Sequence, residues 1–361
     1  MFDDIYRGKK VLVTGHSGFK GSWLSMWLQE LGAEVAGYSL PPATEPSHYK
    51  LLNLDMHSSF KDLRDFEALK RCMESFQPDA VFHLAAQPLV RESYTNPRET
   101  FEVNVQGTVN VLEACKQCDS VRAVVVVSSD KCYENREWHW GYRENEAMGG
   151  YDPYSASKGC TELVCSAYQR SFFNVEDFGT KHNCLVGSCR AGNVVGGGDW
   201  AADRLIPDVM RATAQNEHVM LRNPDAVRPW QHVLESLSGY LCLGKKLLEG
   251  KKKFSSAWNF GPSDDSAITV KELVKIIKDC WDKVNFEFCV TEAVHEATLL
   301  KLDCSKARMV LKWHGVWDCT KTIEHTVNWY KHYYSEGMIS SQEDLKAYVA
   351  DASAKGLKWT K

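Results

Sequence analysis

The sequence predicts an α/β protein built on a doubly wound parallel sheet, with a smaller C-terminal α/β lobe. Three observations carry this prediction. Short apolar runs at residues 9–14, 34–40, 80–87 and 124–127 alternate with helical patterns of about three turns, as strands joined by crossover helices do. Val124, Val125, Val126 and Val127 are consecutive, the mark of a strand buried on both faces. Gly15-His16-Ser17-Gly18-Phe19-Lys20-Gly21 falls between the first strand and the first helical run. Glycines three apart in such a turn let the backbone approach a pyrophosphate, which then rests on the helix N-terminus; this is the Rossmann arrangement.

Composition narrows the class. The 361 residues suffice for one large domain with a substantial second lobe. Net charge is -4, so no general field attracts nucleic acid or an anionic membrane. Thirteen cysteines, an odd number without a repeated Cys-x-x-Cys spacing, argue against a disulfide framework and against a zinc site. Cys72, Cys115, Cys165 and Cys280 lie in helical apolar patterns and read as buried thiols. No metal is expected. Met1-Phe2-Asp3-Asp4 is acidic and lacks a signal-peptide core, and no apolar run approaches membrane-spanning length. The sequence reads as a reduced, cytoplasmic enzyme.

Taken in order, the first 192 residues form the dinucleotide-binding domain, with residues 230–261 returning to it. The second strand ends in Gly37-Tyr38-Ser39-Leu40, with neither an acid nor an arginine, and so does not discriminate NAD from NADP. Asp62-Leu63-Arg64-Asp65 suits an adenine-side turn, with Asp65 equally an N-cap for a helix over 66–76. The strand over 80–87 ends in Ala85, Ala86 and Gln87, small enough at first for a cofactor to lie close. A long segment over 97–116 carries Asn104.

Ser129, Asp130 and Lys131 leave the carboxyl end of the valine strand, where open sheets hold ligands. Pro153 suits a helix start, and Tyr154 and Lys158 then lie one turn apart on one face. A tyrosine beside a cation is expected to have its pKa fall from about 10 toward the range of a general base. Residues 193–335 form mainly a second, ligand-binding lobe. Gly196-Gly197-Gly198 reads as a ligand-facing loop, and Arg204 and Arg228 suit a diphosphate because the guanidinium donates in pairs. Helices are expected over 233–248, 270–281 and 320–333, with a strand at 258–260. Residues 336–361 read as a polar tail to which no role is assigned.

These residues resemble the extended short-chain dehydrogenases/reductases that act on nucleotide sugars. The resemblance rests on Gly15-x-x-Gly18-x-x-Gly21, Tyr154-x-x-x-Lys158, Arg190-x-x-Asn193-Val194, Ala85-Ala86-Gln87-Pro88-Leu89-Val90-Arg91, Trp140-Gly141-Tyr142-Arg143-Glu144 and Arg228-Pro229-Trp230-Gln231-His232. It implies NAD as cofactor, held by Gly15, His16, Gly18, Phe19, Lys20, Gly21, Asp62, Leu63, Ala85, Ala86, Gln87, Asn104, Tyr154 and Lys158. It implies a nucleotide sugar bound by Asn193, Gly197, Arg204, Leu205, Arg228 and His232. Ser129 stands where the family usually has threonine, which keeps the hydroxyl and loses a methyl.

Asp130-Lys131 in place of the Asp-Glu of dTDP-glucose enzymes points to CDP-glucose as substrate. The implied chemistry is C4 oxidation by Tyr154 and Lys158, loss of water across C5 and C6, and return of the hydride to C6. Asp130 is then the acid, and Lys131 is the base or a charged stabiliser of the enolate. The alternatives are a 4,6-dehydratase of another nucleotide hexose and a nucleotide-sugar 4-epimerase, which needs no such acid/base pair; a non-catalytic dinucleotide-binding regulator needs neither Tyr154 nor Lys158. The resemblance also implies a homodimer or homotetramer.

Overall fold

A computed structural model describes residues 1–221, 224–263, 267–288 and 300–361, which include every residue singled out above. The main sheet contains β1 (Lys10–Thr14), β2 (Glu34–Ser39), β3 (His57–Phe60), β4 (Ala80–His83), β5 (Ala123–Val127) and β6 (Leu185–Ala191). Short strands follow: β7 (Val194–Val195), β8 (Val219–Leu221), β9 (Val227–Pro229) and β10 (Gln231–His232). Then β11 (Ala257–Phe260) returns to the main sheet, and β12 (Ala267–Thr269) and β13 (Phe286–Phe288) complete the series. Among the described residues the main sheet runs β11-β6-β5-β4-β1-β2-β3, parallel throughout. The order reverses between β1 and β4, and such a switch point opens a crevice at the carboxyl ends of the strands.

The valine run shows why the sheet sits where it does. Val125 and Val127 project into a core shared with Trp23, Trp27 and Leu237. Val124 and Val126 project into the opposite core, with Leu69, Leu112 and Val186. A period of two thus feeds both faces, and neither face can turn to water.

Helices cover both. They are α1 (Phe19–Glu30), α2 (His48–Leu52), α3 (Phe66–Phe76), α4 (Val90–Thr95), α5 (Pro97–Phe101), α6 (Gly107–Lys116) and α7 (Pro153–Ser171). Toward the C-terminus come α8 (Leu205–Ala214), α9 (Val233–Leu248), α10 (Val270–Cys280), α11 (Cys319–Glu336) and α12 (Ser341–Ala354). A third core joins α8, α10 and α11 through Ile206, Met210, Leu273, Ile277, Ile323 and Trp329, and this is the C-terminal lobe.

Several expectations are corrected. The first helix begins at Phe19 with Gly18 as its N-cap, one turn ahead of its apolar run. The segment over 97–116 is broken by a π turn, Glu102–Gln106. The polar strand β3 is an edge strand with half-exposed residues, so it carries no hydrophobic pattern to read. Residues 336–361 are no free tail. Leu345, Tyr348 and Ala352, spaced three and four apart, are buried in the core beside α9, and Trp359 stacks on Phe2.

The glycine cluster after β6 is also corrected, because aromatic rings from elsewhere fill the space it leaves. A Cβ on Gly197 would lie 2.0 Å from the Trp329 ring of α11, and the Gly197 carbonyl accepts a hydrogen bond from Trp23 Nε1 at 3.0 Å. Gly198 adopts φ +86 against His48. The cluster is therefore a seam between lobe and sheet. Gly197→Ala should lower stability by about 1–3 kcal/mol, the usual cost of overpacking, read as a lower urea midpoint; an unchanged midpoint would remove Gly197 from this seam.

Candidate active site

The catalytic candidates converge at the carboxyl end of β5. Ser129 leaves the strand in extended conformation and caps a 3-10 turn, Asp130–Cys132, accepting from the Lys131 amide. Across from it Pro153 opens α7, with Asp152 as N-cap accepting from the Ser155 amide. The Ser129 hydroxyl lies near enough to the Tyr154 phenol to favour its ionised form. Ser129 Oγ donates to Asp130 Oδ1 at 2.9 Å, so Tyr154, Ser129 and Asp130 form one polar cluster. Lys131 is half-buried beside them.

Electrostatics here differ from the expectation for a tyrosine next to a permanent cation. Burial pushes the Tyr154 phenol up to about 12, with Ser129 and the Arg204 charge opposing it in part. Lys158 is buried too; burial lowers it to about 8, against the pull of Glu162. Its ammonium donates to the Val127 carbonyl at 3.3 Å. The protein alone thus raises the phenol, because desolvation of the oxyanion outweighs a lysine that is itself poorly solvated. Burial also raises the Asp130 carboxyl, opposed by Lys131, Ser129 and Lys20, which suits a proton donor.

Sequence reasoning saw Arg190 only as part of a motif and missed Glu162 altogether. Glu162 lies one turn beyond Lys158 on α7 and accepts from Ser128, from Ser188 at 2.7 Å and from Arg190 at 2.8 Å. Arg190 also donates to the Tyr133 hydroxyl at 2.6 Å, which donates to Asn259 Oδ1 at 2.8 Å. The four-residue repeat Tyr154, Lys158, Glu162 was the available signal.

The cofactor candidates line the crevice from β1 to β4. Gly15 has φ +77, and a Cβ there would lie 2.7 Å from the Ala85 amide; one on Gly21 would lie 2.0 Å from the Gly15 carbonyl. Only glycine permits this close nesting. The first turn of α1 carries no acidic residue, so its N–H groups suit a pyrophosphate. These features fit NAD.

Other candidates in this set act on the protein itself. The His16 ring is buried beneath β2, stacked on Phe60 with Nδ1 3.1 Å from Ser39 Oγ, and burial lowers it to about 4; only its backbone faces the turn. Asn104 accepts from the Gln87 amide at 2.8 Å and donates to the Gln87 carbonyl and to Ser157. Gln87 is likewise spent on Leu89 and Thr100. Asn104 and Gln87 therefore clasp the β4 loop to α7. Leu63 packs against Gly107, the Asp62 carboxylate is held by Arg64, and Asp65 is the N-cap of α3. Lys20 points inward, 3.4 Å from the Tyr240 hydroxyl, and burial lowers it to about 8. The Phe19 ring approaches Gly196.

The substrate set divides. Asn193 is exposed just beyond β6. Arg204 caps α8, pairs with Asp199 at 2.8 Å and lies near enough to act on the Tyr154 charge, while Leu205 packs into the lobe core. Arg228 lies on β9, which pairs with β12. His232 is fully buried as the N-cap of α9, its ring edge-on to Trp23 and Trp317, and burial lowers it to about 3. His232 and Gly197 are thus placed as packing residues away from the polar cluster.

Fold and site together define a dinucleotide-binding enzyme of the short-chain dehydrogenase/reductase type. Residues 11–261 match the NAD dependent epimerase/dehydratase family, and the chain belongs to it. It is 51% identical over 352 residues to a CDP-glucose 4,6-dehydratase of Salmonella typhimurium, covering 96% of this chain and 98% of that one. Among solved structures it is similar to the epimerase Mth375 of Methanothermobacter thermautotrophicus, with TM-score 0.80 and 23% identity over 92% of this chain and 96% of that one. It is also similar to MoeE5 in complex with UDP-glucose and NAD, with TM-score 0.75 and 25% identity over 90% of this chain and all of that one. NAD is the cofactor, and no helix among the described residues is long and apolar enough to cross a membrane.

At the end of β2, Ser39 and Ser17 share a 2.8 Å hydrogen bond where relatives commonly hold the ribose with an acid. A charge-assisted hydrogen bond contributes roughly 1.5–3 kcal/mol, about ten- to a hundredfold in affinity. Purified protein should therefore lose NAD on dialysis and regain activity when NAD is added. Stoichiometric NAD retained after extensive dialysis would contradict this.

Proposed function

We propose that the protein converts CDP-D-glucose to CDP-4-keto-6-deoxy-D-glucose and water, in cytoplasmic deoxysugar biosynthesis for surface polysaccharide such as O-antigen. The observation that carries this reading is the cluster that sets Ser129 and the buried Asp130, bonded to each other, beside Tyr154. An epimerase, which only oxidises and reduces C4, needs no acid coupled to its tyrosine. The relative at 51% identity supports the same substrate.

NAD, held on the Gly15–Gly21 turn at the start of α1, would supply the acceptor for the C4 hydride and its source at C6. Tyr154 takes the C4 hydroxyl proton, Ser129 holds the C4 oxygen, and Lys158 orients the ribose and stabilises the phenolate. With C4 oxidised, the C5 proton is acidified. Lys131 takes that proton, and Asp130 protonates the departing C6 hydroxyl. Arg204, Arg228 and Asn193 hold the diphosphate and hexose. Exposed Tyr94, Phe101 and Leu163 on α4, α5 and α7 suit the face through which two copies pair, in a homodimer or homotetramer.

Single-turnover mixing with CDP-glucose and NAD separates the two halves. Tyr154→Phe should lose the NADH burst by about a hundredfold or more, within the span of a general base, whereas Asp130→Asn should accumulate NADH without releasing product. A normal burst in Tyr154→Phe would remove that residue from its role. Isotope transfer tests the cycle without mutation. Deuterium at C4 of CDP-glucose should appear at C6 of the same product molecule, with solvent hydrogen at C5. Mass spectrometry of product from mixed labelled and unlabelled substrate reads this, and complete loss of label to solvent would overturn the stored hydride.

A further inference from the structure

Asp130 has two faces. Its Oδ1 accepts from Ser129, while Oδ2 lies 3.0 Å from where a Cβ on Gly192 would sit. Asp130 and Gly192 both line a small cavity, whose wall also includes Pro229, Gly261, Lys301 and Leu302. It offers about 10 Å³ to the centre of a water molecule, which is room for one. The wall brings together the exit of β6, the end of β9 and the exit of β11, three places where the chain uses glycine or proline.

We propose that this cavity receives the C6 hydroxyl of the hexose and then the water made from it, with Gly192 as the residue that keeps it open. The proposal rests on the dehydratase reading. In the elimination the C5–H bond breaks, its electrons form the C5–C6 double bond, and its proton goes to Lys131. The C6–O bond breaks with its electron pair on oxygen. Asp130 gives its proton to that oxygen and is left as a carboxylate, so one water forms at Oδ2. A space for a single water at the donating atom accepts this product while the ring stays in place for the returning hydride. The same space sets specificity at C6: a primary hydroxyl fits, whereas a C6 carboxylate brings two oxygens to a place for one, beside Asp130.

Gly192→Ala tests this by adding a methyl to the wall. The contact is tight enough that something must yield by a few tenths of an ångström. Affinities for CDP-glucose and CDP-6-deoxyglucose are measured for both proteins, together with dehydration of CDP-glucose. The variant should prefer the 6-deoxy ligand about tenfold more than the native protein does, and should dehydrate CDP-glucose at least about tenfold more slowly. Equal loss for both ligands, or unchanged dehydration, would overturn the proposal.

If the variant does not fold, the native protein answers alone. CDP-6-deoxyglucose should bind about tenfold or more tightly than CDP-glucuronate, and equal binding would overturn the proposal. Failure of the native protein to dehydrate CDP-glucose would sink the dehydratase reading, a result distinct from these ligand preferences.

Discussion

The buried ion pair between Glu162 and Arg190 is the constraint on which the site depends. Both side chains are 4% exposed, and a buried charge is tolerable only when most of its hydrogen-bonding capacity is met. Meeting it draws in Ser128 at the end of β5, Ser188 on β6, Tyr133 beyond the catalytic turn and Asn259 on β11. One carboxylate thus fixes the relative positions of two neighbouring strands and the helix bearing Tyr154 and Lys158. Each of these groups also depends on the others, because removing one leaves a charge without its partner. The Asn104 clasp performs the same service on the cofactor side, tying the loop after β4 to Ser157 on that helix.

Within this frame, burial acts on opposite charges in opposite senses. It raises Tyr154 and Asp130 and lowers Lys158 and Lys20. Each of these four groups therefore costs more to ionise than it would in water, and the protein offsets only part of that cost from within. The remaining charge complement has to come from what binds, which links occupancy of the crevice to the ionisation of its acids and bases.

Much of the fold was legible because its signals are local. Four adjacent valines read as a strand with two covered faces, and Pro153 reads as a helix start. The parallel sheet and its ligand-bearing end followed from these. What stayed hidden depends on partners far along the chain. Gly196, Gly197 and Gly198 look like a ligand loop until Trp329 and His48 are seen to occupy their space. His232 looks like a polar binding residue until Trp23 and Trp317 close on it. The helix α12 escaped because its buried side is narrow, with Leu345, Tyr348 and Ala352 set among charged neighbours. In the site, the shifted titration of Tyr154 could not be read from the spacing of Tyr154 and Lys158, since it depends on how deeply both groups are covered.

The docking of α12 has a consequence for how the chain is made. Trp27 on α1 meets Tyr348 and Trp359, partners more than three hundred residues later, and Glu235 on α9 accepts from Tyr348 and from the amides of Val316 and Trp317. During synthesis the first six strands leave the ribosome long before these partners exist. Until β11 arrives, β6 is an open edge, and until α9 and α12 arrive, Trp23 and Trp27 on α1 lack the partners that cover them. Such intermediates invite aggregation, so the nascent chain spends most of its elongation in a form that a chaperone would recognise, and only the final segment makes the sheet safe.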